Sequence, residues 1–484
     1  MFGAVSSITV KTPFGPLVGQ QSGTVNIFRG VPFAEPPVGP LRYKPTQPLR
    51  PWTRPREATQ FSPAAMQPGG GGFKESEDCL YLNIWAPSGK GPFPVYIWIH
   101  GGGFTGGRAF DPLFDGTALA QQGTVCVTVA YRLGAFGFLD LEPMLGPEFA
   151  SSANNALRDL IAAFDWVQKS ISAFGGDPNQ VTIGGESAGA KLTDILMGVP
   201  SARSLFHQMI SESGGAERVF DIEKSKKVGE GFAKAWHTQT GLSPKALATA
   251  PARQIIEVQH NFTANWPWHF PLRCQIDGDL LPHKPVVAIQ DGSSKDKRLL
   301  IGTNRDESAL FVGPHPAHDA TPADLGNLTQ VQFDKVYKDY ENLYPKMSVE
   351  MRRIRALTAE EYWVPSMRVA EAHLQGGGEA YVYRLDFAEA AGRLHGFAYH
   401  SLDLPLVWDK PHANAGNIAD ETKLAATMQQ AWIEFLRGKA PAAPGLPAWP
   451  EYNLETRPTM ILNVESQVEH EPQESELNLW KGIL

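Results

Sequence analysis

Residues 181–189 read VTIGGESAG, an apolar run that leads directly into the pattern G-x-S-x-G around Ser187. This pattern is typical of a nucleophilic serine held in a sharp turn between a strand and a helix. Glycines two residues away on either side fit such a turn, because a Cβ there would clash with neighbouring backbone. A helix predicted from Ala188 to about Met197 would direct free N–H groups and its positive dipole end toward the serine. The stretch therefore predicts a site where negative charge develops.

A second glycine-rich segment follows a buried strand predicted at Pro94–Ile99 and reads HGGGF at residues 100–104. A tetrahedral acyl intermediate carries an oxyanion that needs at least two preorganised donors, and glycines allow the main chain to approach it closely. We expect the amides of Gly102, Gly103 and Ala188 to form this oxyanion hole. His100 is interpreted as a brace for the loop, because the chemistry needs only one base.

The acid and the histidine of such a site follow the serine along the chain. A strand predicted at Arg298–Gly302 leads toward Asp306 and Glu307, and sites of α/β enzymes lie at the carboxyl edge of the sheet. Spacing alone does not choose between these two carboxylates. Of the 13 histidines, His395 and His400 lie in an apolar loop of the C-terminal third, and local chemistry leaves both open as the base.

Several further segments resemble the type-B carboxylesterases, the family that includes cholinesterases and bacterial p-nitrobenzyl esterases. Besides the two glycine-rich motifs, the similar segments are FRGVPFA at 28–34, SEDCLYLN at 76–83, YRLG at 131–134 and FGGDP at 174–178. The resemblance runs nearly end to end. It implies an α/β-hydrolase fold and a serine carboxylic-ester hydrolase that acts through an acyl-enzyme intermediate on small to medium esters.

The resemblance also chooses between the open candidates. The family's acid is the glutamate of an aspartate–glutamate pair, which implies Glu307. Its histidine stands three residues before an acidic residue that begins an apolar run, which implies His400 ahead of Asp403 and not His395. Ser187, Glu307 and His400 are therefore the predicted catalytic residues.

Matching family positions imply three structural roles outside the catalytic residues. Two buried salt bridges are expected, one between Arg42 and Glu77 and one between Arg132 and Asp177. Ser213 matches a serine that lies near the catalytic acid.

The pattern of strands alternating with helices predicts a large, mostly parallel sheet covered by helices, in a single domain over residues 1–484. Helical periodicity is clearest at Asn154–Ser172 and at about Glu421–Arg437. Segments at about 215–285 and 306–378 are interpreted as helical insertions that form a cap and pocket walls. The predicted strands are Leu80–Ala86, Pro94–Ile99, Thr124–Ala130, Val181–Gly185, His207–Ser211, Arg298–Gly302, Ala380–Leu385 and Thr459–Val464.

Aromatic residues are candidates for the substrate pocket. Phe104 ends the HGGGF segment, and Trp266, Trp268 and Phe270 lie within the first insertion. We expect these four side chains to line the pocket. For the residues of the insertion, its own hydrophobic core is an equal alternative.

Composition excludes several kinds of partner. The net charge of −8 leaves no basic footprint for nucleic acid, and no apolar run approaches the roughly 18 residues that span a bilayer. The first residues lack a charged segment followed by an apolar block, so no signal peptide is expected. A small-molecule ester is the expected partner, and monomer and homodimer both stay open.

The cysteines indicate a reducing compartment. Cys79, Cys126 and Cys274 are the only three and are scattered, so neither a disulfide framework nor a metal site is expected. No cofactor is expected, and a cytoplasmic location follows. The loop Pro68–Phe73 contains no tryptophan of the kind that cholinesterases use to hold a quaternary ammonium, so a choline-ester specialist is not expected.

Two other classes of function remain. The same catalytic residues serve lactone or amide hydrolases and acyltransferases of biosynthesis or detoxification, because specificity resides in pocket shape. The family also contains adhesion proteins with an inactive site. The intact set of Ser187, Glu307 and His400 argues against such a binding protein.

Overall fold

A large mixed sheet forms the centre of the computed structural model, which describes residues 5–69, 72–267, 269–317, 324–412 and 417–484. Its strands in chain order are Val5–Lys11, Pro16–Ser22, Val25–Pro32, Arg56–Glu57, Tyr81–Pro87, Phe93–Ile99, Val125–Val129, Gly176–Glu186, Gln208–Glu212, Arg298–Asn304, Glu379–Leu385, Thr459–Leu462 and Gln467–Glu469. Two short strand pairs lie outside it, Ala64–Ala65 with Glu75–Ser76 and Val219–Phe220 with Cys274–Gln275.

The central strands are parallel and the strands at both ends are antiparallel. From Val125–Val129 the sheet runs through Phe93–Ile99, Gly176–Glu186, Gln208–Glu212, Arg298–Asn304 and Glu379–Leu385 to Thr459–Leu462, each neighbour parallel to the last. Parallel strands end at the same edge, so the loops that follow these strands are brought together there.

Helices cover both faces of this sheet, and side chains alternate between two apolar cores. In Phe93–Ile99, Ile97 and Ile99 face one core, and Tyr96 and Trp98 face the other, as the two-residue period of a strand requires. Burial on both faces explains why the central strands read as continuous apolar runs.

The helices lie mainly between and after the parallel strands. The α-helices are Thr117–Gln121, Gly134–Phe138, Glu142–Leu145, Asn155–Ser170, Ala188–Met197, Ile222–Thr240, Ala252–Asn265, Pro285–Gln290, Ala309–Val312, Gln330–Leu343, Val349–Thr358, Val364–Gln375, Leu404–Val407, Ile418–Leu436 and Glu474–Trp480. A π-helical turn, Ala359–Trp363, joins Val349–Thr358 to Val364–Gln375 without a break. In the described part of the chain, no helix is both long and apolar enough to cross a bilayer.

The predicted fold class is confirmed, and each predicted strand is present with its ends shifted by at most a few residues. The predicted helix at 154–172 is α-helical over Asn155–Ser170 and continues as a 3-10 turn, Ile171–Phe174. The antiparallel strands before residue 33 were not among the predictions. The strand Pro16–Ser22 ends in polar, partly exposed residues, and Asn26, Arg29 and Gly30 interrupt the apolar residues of Val25–Pro32, so neither strand has a regular apolar alternation.

One of the two predicted salt bridges is confirmed and the other is wrong. Arg42 Nε donates to Glu77 Oε2 at 2.6 Å. Arg132 pairs instead with Asp159, on helix Asn155–Ser170, with Nη2 2.8 Å from Oδ1. Asp177 lies near the start of the strand Gly176–Glu186 and accepts a hydrogen bond from the amide of Asn179.

Candidate active site

Ser187 lies at the sharp turn between the strand Gly176–Glu186 and the helix Ala188–Met197. Its backbone has φ 56° and ψ −122°, a strained conformation that a non-glycine residue adopts only when its surroundings impose it. Two residues on, a Cβ at Gly189 would lie 1.9 Å from the Ile99 carbonyl oxygen. The glycine spacing therefore has the predicted steric cause, and the turn projects Ser187 into a cavity.

The HGGGF loop lies beside this turn. A Cβ at Gly101 would come within 3.2 Å of Ser187 Cβ. Gly102 and Gly103 have φ of 113° and 61°, values that favour glycine. Gly102, Gly103 and Ala188 line the same cavity as Ser187. The structure thus brings the predicted oxyanion donors to the predicted nucleophile.

His100 braces the loop, in keeping with its interpretation from the sequence. Its Nδ1 lies 2.8 Å from the Gly101 carbonyl oxygen, and its ring stacks on Tyr131 with centroids 4.6 Å apart. Burial lowers the pKa of His100 to about 4, despite the opposing hydrogen bond with Gly101. The ring is therefore neutral near pH 7 and is a structural part of the loop.

His400 and Glu307 form a buried pair. His400 Nδ1 lies 2.6 Å from Glu307 Oε2. The other oxygen of Glu307 accepts hydrogen bonds from the Asn304 amide at 2.7 Å and from the Ser213 hydroxyl at 2.5 Å. Glu307 is fully buried and held on both oxygens, so it can orient the imidazole.

The competing candidates lie elsewhere. Asp306 pairs with Arg305, with Nη2 2.8 Å from Oδ2, and accepts a hydrogen bond from the Ala398 amide. His395 is exposed on the surface. Neither residue lines the cavity that contains Ser187.

The imidazole of His400 lies between two carboxylates. Its Nε2 is 3.1 Å from Glu186 Oε1, which also accepts a hydrogen bond from Ser401 Oγ at 2.6 Å. Burial lowers the pKa of His400, but the Glu186 and Glu307 carboxylates outweigh burial and raise it to about 9. In this arrangement Nε2 faces Glu186.

A cavity of about 330 Å³ surrounds these groups. Phe311 and Tyr362 lie against the imidazole, with ring centroids 5.2 and 4.6 Å from that of His400. The lining residues are Gly102, Gly103, Thr105, Glu186, Ser187, Ala188, Lys191, Arg218, Phe270, Phe311, Tyr362, His400 and Ser401.

The four aromatic pocket predictions have different outcomes. Phe270 lines the cavity. Phe104 does not, because it is fully buried and stacks on Phe138 with centroids 4.5 Å apart. Trp266 does not line it either and packs against Phe262 at 4.8 Å. Trp268 lies outside the described residues.

Sequence reasoning missed the cationic part of the wall, formed by Lys191 and Arg218, and the Glu361 carboxylate that both contact. Lys191 interrupts an apolar helix, and that was a usable signal, since a lysine there must be buried. Arg218 and Glu361 come from distant segments and carry no comparable local signal. Glu361 and Tyr362 both lie in the π-helical turn Ala359–Trp363, an irregularity frequent at functional sites.

The three cysteines lie apart from one another in the interior. Cys79, Cys126 and Cys274 are all buried free thiols whose pKa burial raises. In the ranges that the structure describes, no cluster of His, Cys, Asp and Glu side chains could hold a metal ion.

Comparison with known proteins gives consistent results. A family model described as the carboxylesterase family matches residues 6–480. The chain is 35% identical to the para-nitrobenzyl esterase of Bacillus subtilis (strain 168) over 96% of each protein. It is 33% identical to the fumonisin B1 esterase of Sphingopyxis macrogoltabida, over 92% of this chain and 84% of that protein.

Solved structures are similar along nearly the whole chain. A PNB esterase structure superposes with a TM-score of 0.87 and 32% identity, covering 98% of this chain and 100% of the other. A carboxylesterase from Geobacillus stearothermophilus gives a TM-score of 0.86 at 32% identity, with 98% of this chain and 99% of the other covered.

Proposed function

Because the chain belongs to the carboxylesterase family and is a serine carboxylic-ester hydrolase, we propose that Ser187, His400 and Glu307 are its catalytic triad. The amides of Gly102, Gly103 and Ala188 form the oxyanion hole. The observation that carries this assignment is the buried 2.6 Å contact between His400 Nδ1 and Glu307 Oε2, at the wall of the cavity that Ser187 enters.

The proposed reaction is a two-step acyl transfer. His400 Nε2 takes the Ser187 proton while Ser187 Oγ attacks the ester carbonyl carbon, and the three amides hold the oxyanion. Collapse of the tetrahedral intermediate breaks the acyl C–O bond, and the alcohol leaves with the proton from His400. Water then attacks the acyl-enzyme with His400 again as base, which releases the acid and restores Ser187. Glu307 keeps the imidazole in the required tautomer and stabilises its charged form.

Removal of the nucleophile tests the assignment. We expect Ser187→Ala to lower kcat for p-nitrophenyl butyrate by about 10³-fold or more, with the circular dichroism spectrum unchanged. The wild-type protein should react stoichiometrically with a fluorophosphonate, and the variant should not. An undiminished rate in Ser187→Ala would reject this nucleophile.

The histidine is tested by a matched pair. His400→Ala should lose nearly all activity, whereas His395→Ala, an exposed histidine of the same loop, should keep it. Equal retention of activity in the two variants would show that His400 is not the base.

The substrates are small to medium carboxylic esters. A cavity of about 330 Å³ encloses the reacting groups without room for a large macromolecule. The relatives are named as esterases, which favours ester hydrolysis over the lactone, amide and acyl-transfer alternatives. The segments at about 215–285 and 306–378 act as cap and pocket walls, a role supported by the cavity residues Arg218, Phe270 and Phe311 that they contain.

A reducing compartment such as the cytoplasm is the proposed location. The three cysteines are buried as separate free thiols, a pattern typical of proteins that fold without disulfide bonds in a reducing compartment. Fractionation of the source cells with an antibody to the chain tests this, and recovery from the medium would contradict it.

A further inference from the structure

Two cationic side chains form one wall of the cavity that contains Ser187. Arg218 and Lys191 are 2% and 3% exposed, so both are withdrawn from bulk water. Burial of a charge is costly unless it is compensated by an opposite charge and hydrogen bonds. A wall of this kind is therefore unsuited to a purely apolar substrate.

The two cations share a single carboxylate. Arg218 Nη2 donates to Glu361 Oε1, and Lys191 Nζ lies 3.2 Å from the same oxygen. Burial raises the pKa of Glu361, but Arg218 and Lys191 outweigh burial and lower it to about 2, so this group is charged. Since a guanidinium stays protonated in proteins, Arg218 alone neutralises Glu361. Lys191 then shares this carboxylate with Arg218, and burial lowers the pKa of Lys191.

The neighbouring carboxylates have partners of their own. Glu186, in the same cavity, faces the His400 imidazole. Glu217 pairs with Arg368 at 2.8 Å. Burial and Glu361 raise the pKa of Glu360 to about 7, and its carboxylate accepts from backbone amides at 326–328. A third cation, Arg273, lies close enough for Arg218 to help burial lower its pKa to about 9. Arg218, Lys191 and Arg273 therefore all lie near the single carboxylate of Glu361.

Arg218 also has an unused donor. Its Nε is buried and has no hydrogen-bond partner among the described residues. The guanidinium lies 3.5 Å above the Phe270 ring, which holds its plane in one orientation. By contrast, Lys191 Nζ donates to the carbonyl oxygens of Gly214 and Glu361 at 2.9 and 3.0 Å. Arg218 is thus the member of the wall with donor capacity for a ligand.

The location of Arg218 indicates which part of the ester, the acyl group or the alcohol, it can bind. Phe270 contacts both the Arg218 guanidinium and the proposed oxyanion loop. A Cβ at Gly103, in that loop, would lie 3.1 Å from the Phe270 ring. The leaving alcohol must lie near His400, which protonates it, and the Glu186 carboxylate is on that side. A negative charge on the alcohol would be repelled by the Glu186 carboxylate. A negative charge on the acyl group can instead bind to the Arg218 guanidinium.

We propose that the enzyme takes esters whose acyl group carries a free carboxylate, that is, half-esters of dicarboxylic acids, and that Arg218 binds this carboxylate. The inference rests on the proposed function of Ser187. The reaction adds water across the acyl C–O bond and yields the alcohol, the dicarboxylate and a proton. Charge-assisted binding by a guanidinium provides the selectivity, because the plane of its donors matches a carboxylate.

The first test compares matched substrates on the purified full-length protein. Monophenyl adipate and phenyl hexanoate have acyl chains of equal length and differ in the terminal carboxylate. We expect kcat/KM for monophenyl adipate to be at least about 10-fold higher, the selectivity of a hydrogen bond to a charged group. With 4-carboxyphenyl hexanoate, which carries the charge on the alcohol, no such gain is expected. A gain with that ester alone would contradict the acyl-side assignment.

A variant pair tests the residue. Arg218→Gln should bring the adipate-to-hexanoate ratio of kcat/KM down to near unity, because Gln cannot compensate the charge. Arg437→Gln removes an arginine that pairs with Glu434 outside the cavity, and it should leave the ratio and the rates unchanged. A ratio that Arg218→Gln does not alter would overturn the proposal.

An inhibition measurement covers the case in which Arg218→Gln fails to fold. Adipate should inhibit wild-type hydrolysis of phenyl hexanoate competitively, at least about 10-fold more strongly than hexanoate does. Equal inhibition by the two acids would overturn the proposal. If phenyl hexanoate is hydrolysed and the charged ester is not preferred, this inference fails and the triad stands. If no ester is hydrolysed, both fail.

Discussion

The protonation of His400 governs the proposed reaction. A general base must be neutral before it accepts the serine proton, yet the carboxylates of Glu186 and Glu307 both favour the charged imidazole. A pKa of about 9 means that the neutral, active form gains population as the pH rises toward 9. The kcat/KM of the enzyme, which reports the protonation of His400 in the free enzyme, should therefore rise with pH up to about 9.

The Glu186→Gln variant tests this electrostatic account. Loss of one carboxylate should lower the pKa of His400, so the rise of kcat/KM with pH should move to lower pH by about one unit or more. Glu389→Gln is the control, because that carboxylate contacts the Tyr399 hydroxyl and not the imidazole. Profiles for p-nitrophenyl butyrate between pH 5 and 10 check the shift. A profile of Glu186→Gln that overlays the wild type would contradict the stated cause.

At the scale of the element, one strand–turn–helix unit carries Ser187, the proposed nucleophile. The strand Gly176–Glu186 holds the turn from one side, and the Ser187 amide donates to the Glu212 carbonyl oxygen of the next strand at 2.9 Å. Gly189 lets the helix start pack directly on Ile99. The strained conformation of Ser187 is therefore imposed by its neighbours in the sheet.

A single methyl group should disturb this unit. Gly189→Ala would put a Cβ 1.9 Å from the Ile99 carbonyl oxygen, so we expect the free energy of unfolding to fall by about 1–3 kcal/mol or more. Activity should fall with it, because the helix start must move. Gly89→Ala adds the same group where the nearest atom of another residue is 3.5 Å away and should be nearly neutral. Urea denaturation of both variants measures the difference, and equal stability would contradict the packing argument.

At the scale of the whole molecule, a buried ion pair joins segments remote in sequence. Arg132 and Asp159 make two hydrogen bonds of 2.8 Å, and Asp159 also accepts from Thr46 Oγ1 at 2.5 Å. Arg132 Nη1 donates to the Lys44 carbonyl oxygen at 2.7 Å. The N-terminal region, a loop after a central strand and a long helix are thus held at one point.

Breaking this pair should be costly. Asp159→Asn would leave the Arg132 guanidinium buried without its counter-charge, for an expected loss of about 3–5 kcal/mol in the free energy of unfolding. Asp177→Asn alters the aspartate that the sequence had suggested as the partner and should change stability by less than about 0.5 kcal/mol. Thermal and urea unfolding check both. Similar losses in the two variants would argue against the Arg132–Asp159 pair as the main contact.

Contiguous patterns were enough to predict the nucleophile turn, the oxyanion loop and the central strands, because steric rules and apolar periodicity act over a few residues. Family resemblance, and not local chemistry, chose Glu307 over Asp306 and His400 over His395. Folding determined the rest: Asp159 in place of Asp177 as the partner of Arg132, the burial of Phe104 and the carboxylate of Glu186 at His400. It also brought Lys191, Arg218 and Glu361 into contact with one another. Charges interact across space at a few ångströms, and only the packing of distant segments sets those distances.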